Sequence, residues 1–153
     1  MAANTAEIYS PDTGTFSETG TPTVGSNFAS VTLLKGGKVL FVGGEANGTS
    51  ASPSAELYDP VTGTFSLTGS LTTGRDLHTA TLLNSGKVLV TGGMSPTTEL
   101  SSSEIFDPAA GTFSAGQNLV TMRGQHAAAR LESGVVLIVG GANQTVLASA
   151  ELY

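Results

Sequence analysis

A four-residue phrase returns four times along this chain at almost constant spacing. It reads Ala6-Glu7-Ile8-Tyr9, Ala55-Glu56-Leu57-Tyr58, Ser103-Glu104-Ile105-Phe106 and Ala150-Glu151-Leu152-Tyr153, with its glutamates 49, 48 and 47 residues apart. Two further signatures keep the same beat: Gly-Thr-Phe at 14–16, 63–65 and 111–113, and Gly-Gly at 43–44, 92–93 and 140–141. A period near 50 residues with strand-like content predicts a radial array of small sheets, none able to bury its own faces alone. The array fills residues 1–153 as one domain. Its units run at about 6–54, 55–102 and 103–149, with the opening strand repeated at 150–153.

Within the middle unit, apolar and β-branched residues at 77–83 predict an inner strand, and the turn Asn84-Ser85-Gly86-Lys87 leads to a second strand at 88–91. After Gly92-Gly93 comes a variable stretch, Met94 to Ser102, then strand three at 103–106. The turn Asp107-Pro108-Ala109-Ala110-Gly111, with Pro early and Gly late, delivers strand four at 112–114. The same reading places strands at 28–34, 38–42, 55–58 and 64–67, and again at 126–131, 135–139 and 150–153. The chain opens on strands three and four, at 6–9 and 15–17. No segment sustains a 3.6-residue apolar period for three turns, so almost no helix is expected.

Composition narrows the partners. Charged residues make up 12% of the chain and the net charge is −6 without a basic cluster, so a nucleic-acid backbone would be repelled. The longest apolar run, Val135–Val139, has the length of a strand and not of a membrane span, so no membrane insertion is expected. With no cysteine there is no disulfide, thiolate metal site or cysteine nucleophile. Met1-Ala2-Ala3-Asn4-Thr5 does not read as a signal peptide.

Gly-Gly closing strand two, Tyr or Phe in strand three and an aromatic in strand four resemble the kelch repeat. The form Ala-Glu-Leu-Tyr-Asp-Pro-x-Thr-Gly-Thr-Phe at 55–65, with Arg75-x-x-His78-Thr79-Ala80-Thr81-Leu82-Leu83 before the next strand, is similar to its bacterial galactose-oxidase-like branch. The resemblance implies an all-β fold of β-propeller blades, each of four antiparallel strands, about three per chain. It also suggests an exported or cell-surface bacterial origin. The strand-four aromatic departs from the family: it is Phe where Trp is usual, and the chain has no Trp. Propellers typically close with four to eight blades. Three leave apolar faces and sheet edges open, so two copies head to tail are expected to give six blades as a homodimer. Strand three is present twice, which keeps open a second reading: a repeat segment of a larger exported structural protein.

Alternating strand direction sorts the connections onto two faces. The turns between strands one and two, and three and four, are short and uniform. The opposite face carries longer, varied loops: one with Glu45 and Asn47, one with Glu99, and one with Asn143. Loop diversity on a rigid frame is where binding usually resides, so this face is expected to meet a protein or glycan.

Arg75 and His78, and 48 residues later Arg123 and His126, are also candidates; Ser26 and Ala29 hold those places in the first unit. One reading makes them cationic groups at a channel mouth, able to hold a carboxylate or acidic sugar. The other pairs each Arg with a repeated glutamate and each His with backbone at the start of the inner strand. No catalytic site is expected, and no cofactor or metal. Galactose oxidase uses a copper site of two Tyr and two His with a Tyr–Cys crosslink, which a cysteine-free chain cannot make. Tyr9, Tyr58 and Tyr153 occupy equivalent strand-three positions suited to packing. A glycosidase-type pair of Glu45 and Glu99 is the remaining enzymatic reading.

Overall fold

The structure is a computed structural model, and it describes residues 5–23, 27–46 and 50–153. Among these residues the chain is all-β, in antiparallel sheets. Strands β1 (Glu7–Ser10) and β2 (Thr15–Glu18) form an N-terminal hairpin. The first four-stranded sheet has the order β3 (Ser30–Leu33), β4 (Val39–Val42), β7 (Ala55–Asp59), β8 (Thr64–Leu67). Between β4 and β7 lies a small hairpin of β5 (Glu45–Ala46) and β6 (Ser50–Ala51). The second sheet repeats the pattern with β9 (Thr79–Leu82), β10 (Val88–Thr91), β11 (Ser103–Asp107) and β12 (Thr112–Ala115). The third contains β13 (Ala127–Arg130), β14 (Val136–Val139) and β17 (Ala150–Leu152), with β15 (Ala142–Asn143) and β16 (Thr145–Val146) as its small hairpin. Each strand thus pairs with its sequence neighbours, apart from the small hairpins that branch off.

The repeating phrases have local causes. Gly14, Gly63 and Gly111 adopt φ of 68°, 66° and 67° at the turn between strands three and four, a left-handed conformation that favours glycine. The aspartates preceding the prolines fasten the same turn: Asp59 Oδ1 accepts the Val61 amide at 2.9 Å, and Asp107 Oδ1 accepts that of Ala109 at 3.0 Å. Across strands three and four the aromatics meet as tilted pairs, Tyr9–Phe16, Tyr58–Phe65 and Phe106–Phe113, with centroids 5.0, 4.8 and 4.9 Å apart. Phenylalanine therefore serves in all three strand-four positions.

Sheets stack face to face, with β9 against β3 on one side and β13 on the other. Leu40, Val42, Val88, Val90 and Phe106 fill the core between the first and second sheets, and Leu89, Leu119, Val136 and Ile138 the core between the second and third. Period-two alternation sends successive residues of β10 to opposite cores, while β4 and β14 each turn one face to a core and the other outward.

Two features depart from the sequence expectations. The inner strands expected from residues 28, 77 and 126 begin at Ser30, Thr79 and Ala127. A left-handed residue stands two positions before each one: Phe28 (φ 57°), Leu77 (φ 49°) and Gln125 (φ 55°). Such a residue interrupts the extended backbone that a regular strand needs. The stretches expected as loops between strands two and three also contain the β5–β6 and β15–β16 hairpins.

Candidate functional site

Each joint between sheets is built from the segment that enters the inner strand. Arg75 is completely buried and spans three partners. Its Nη1 donates to the carbonyls of Gly92 and Ser102 at 2.8 and 2.9 Å, and its Nη2 pairs with Glu104 Oε1 at 3.1 Å. Arg123 repeats this with Gly140 and Ser149 at 2.6 and 3.2 Å, and with Glu151 at 2.7 Å. Each arginine so ties strand three to the end of strand two of its own sheet, while the glutamate also caps loop amides: Thr72 and Thr73 for Glu104, Val120 and Thr121 for Glu151. Burial alone would raise Glu151, but the Arg123 guanidinium and those amides hold it below the usual carboxylate range. The pairing of arginine with the repeated glutamate is the second of the two sequence readings.

The histidines act between sheets. His78 Nε2 meets Ser30 Oγ at 2.7 Å, and His126 Nε2 meets Thr79 Oγ1 at 2.9 Å, in each case on the inner strand of the preceding sheet. A hydroxyl one sheet away is thus added to the main-chain neighbours Arg75 and Arg123, a partner that a one-unit reading could not find. Burial, then the Arg75 cation, then His126, push His78 down to about 3. Burial and the Arg123 cation push His126 down to about 4. Both rings are neutral at pH 7, so neither offers a positive charge to a ligand.

The Gly-Gly pairs make room for this joint. Gly44 and Gly93 donate to the carbonyls of Arg75 and Arg123 at 2.8 and 2.9 Å. A Cβ on Gly43 would meet the Arg75 carbonyl at 2.5 Å and the His78 ring at 2.8 Å. Gly92 stands in the same relation to Arg123 and His126.

The varied residues lie on the face that these segments share. Glu45 pairs by its main chain with Asn27, and Asp76 with Met94, which in turn bridges Glu99. Asn143 sits in β15, opposite Thr145, with Gln144 at the tip in a left-handed turn (φ 60°). Asn47 falls outside the described residues. Asp76, absent from the binding candidates, belongs with them: it is half-buried, and burial and then the Glu45 charge raise its carboxyl above the usual range. Its only sequence signal was an acid inside Arg75-x-x-His78 where the next unit has Gly124. Among the described residues no three acids or histidines converge as a metal site.

The left-handed residues are the other set missed from sequence. Phe28, Leu77 and Gln125 occupy the same position in three successive sheets, at the varied-loop end of the inner strands, and the Gln125 amide donates to the Leu77 carbonyl at 2.9 Å. Backbone is repeated here while the side chain changes from aromatic to aliphatic to amide. No protein-family model and no curated protein matches the chain.

Proposed function

We propose that this chain is a non-catalytic kelch-type β-propeller module that self-associates to complete a ring and presents its varied-loop face to a protein or glycan. The observation that carries the binding reading is the triplet Phe28, Leu77 and Gln125: one strained backbone geometry, three chemistries. A left-handed non-glycine costs about 1–3 kcal/mol and persists where its surroundings impose it. A repeat that served packing alone would be expected to use glycine or one favoured residue there. Phe28 is 60% exposed and offers an aromatic face, while Glu45, Asp76 and Asn143 supply polar groups nearby on the same side.

Self-association is supported by apolar side chains that are covered where another sheet follows and more open on the third sheet, where none does. Leu40 and Leu89 are buried, and their counterpart Leu137 is half-buried; Val42 is buried and its counterpart Val139 is 43% exposed. A glycan array read beside solution mass tests the two halves separately. Binding to a defined glycan or protein that is weakened tenfold or more by Phe28→Ser, with mass unchanged, is the expected result. No binding by a correctly folded protein to either class would remove the binding half.

The doubled strand-three phrase favours a second reading, a repeat segment of a larger exported scaffold, which further units of the same period in flanking sequence would support. A glycan-cleavage screen with Glu45→Gln and Glu99→Gln tests the enzymatic alternative.

A further inference from the structure

The third sheet carries β17 as its outer strand, and the hairpin β1–β2 stands as a two-stranded sheet whose strands have the sequence of strands three and four. We infer that the hairpin of a second copy displaces β17 from β14, so that Ala6-Glu7-Ile8-Tyr9 of one molecule takes the register now held by Ala150-Glu151-Leu152-Tyr153 of the other. This rests on the proposed self-association and specifies how it occurs.

Four observations support the exchange. The two phrases differ only by Ile8 against Leu152, so the incoming strand reproduces every contact type of the outgoing one. The hairpin also brings strand four, which β17 lacks as the outer strand of its sheet. Its aromatic pair is open, with Tyr9 52% and Phe16 67% exposed, whereas Phe106 in the same role is fully buried.

Charge points the same way. Glu7 lies directly opposite Glu18 in the hairpin register, a like-charge pair that is destabilising on a sheet. The equivalent glutamates face Leu67 and Ala115 instead. In the place of Glu151, Glu7 would receive the buried Arg123 guanidinium. The fourth observation is the seam. Inner joints pair Ser30 with His78 and Thr79 with His126. At the two outer positions the hydroxyl is replaced by Ala127 and the imidazole by Ala29. When the third sheet of one copy meets the first sheet of the next, alanine faces alanine, and neither polar group is left without its mate.

A cysteine-free chain makes the test direct. Val136 and Tyr153 exchange both main-chain hydrogen bonds at 2.9 Å, so Leu137 and Leu152 form the closer, non-hydrogen-bonded pair, as Leu137 and Ile8 would after exchange. Mild oxidation of Ile8→Cys/Leu137→Cys is expected to give a reducible species of twice the chain mass. Oxidised Leu137→Cys/Leu152→Cys, with β17 held in place, is expected to fall twofold in solution mass relative to the unmodified protein. Should the unmodified protein weigh two chains while the first variant stays unlinked or links within one chain, or the second keep its double mass, exchange is wrong and self-association stands. A single-chain mass for the unmodified protein at all concentrations overturns both.

Discussion

Arg75 and Arg123 are the largest side chains with no exposure, and each closes a three-way junction. Removing one leaves a carboxylate in the interior without its cation, which typically costs about 3–5 kcal/mol. Arg75→Ala is therefore expected to lower stability by that amount in urea unfolding, while Arg75→Met combined with Glu104→Leu recovers only part of it, because the Thr72 and Thr73 amides and the Gly92 and Ser102 carbonyls then lose their partners. Lys38→Ala, which removes only the exposed pair with Asp59, should leave the midpoint unchanged.

The buried histidines give a pH signature at the same scale. Their folded values lie near 3 and 4, below the ordinary 6.5, so the unfolded chain takes up protons that the folded chain refuses. Their contribution is complete above pH 6.5 and is lost as pH falls toward 4 and then 3, at about 1.4 kcal/mol per pH unit for each proton. Denaturation midpoints measured from pH 7.5 to 4 should decline in the parent and much less in His78→Gln/His126→Gln.

At the scale of the element, the junction between strand two and its following loop is tight, whereas the first turn between strands one and two is open. Gly92 has φ 59°, and a Cβ there would meet the Arg123 carbonyl at 2.5 Å; Gly36 has nothing within 4 Å. Gly92→Ala is expected to cost at least about 1–3 kcal/mol, and Gly36→Ala to stay within about 0.5 kcal/mol, as thermal or urea unfolding will show. Strand identity and order were legible because alternation, Gly-Gly and Asp-Pro-x-x-Gly are local signals. The starts of the inner strands were not, since nothing in Phe28, Leu77 or Gln125 announces a left-handed backbone. The histidine partners were hidden for a related reason: Ser30 and Thr79 lie a full repeat away from the rings they bind. Of the proposed binding face, the loop candidates were visible as variation, while Asp76 was visible only as an acid beside Arg75 in one unit until folding brought it near Glu45.

For the whole molecule, the proposed self-association turns on the exposed outer faces. Leu33 is 64% exposed on β3, facing away from the second sheet, and Val139 is exposed on the far side of the third. Leu33→Asp or Val139→Asp should preserve the β-sheet circular dichroism yet halve the mass seen by light scattering. Equal mass in parent and variants would show that these faces do not meet. The imidazole–hydroxyl contact also gives the row of sheets a direction. Only the middle sheet owns both halves, His78 looking backward to Ser30 and Thr79 looking forward to His126. It is a link with a hook at each end, while its neighbours each have a single one. Duplicating that segment in tandem would lengthen the protein with every internal fastening intact, whereas duplicating either neighbour would introduce a splice with one fastener missing.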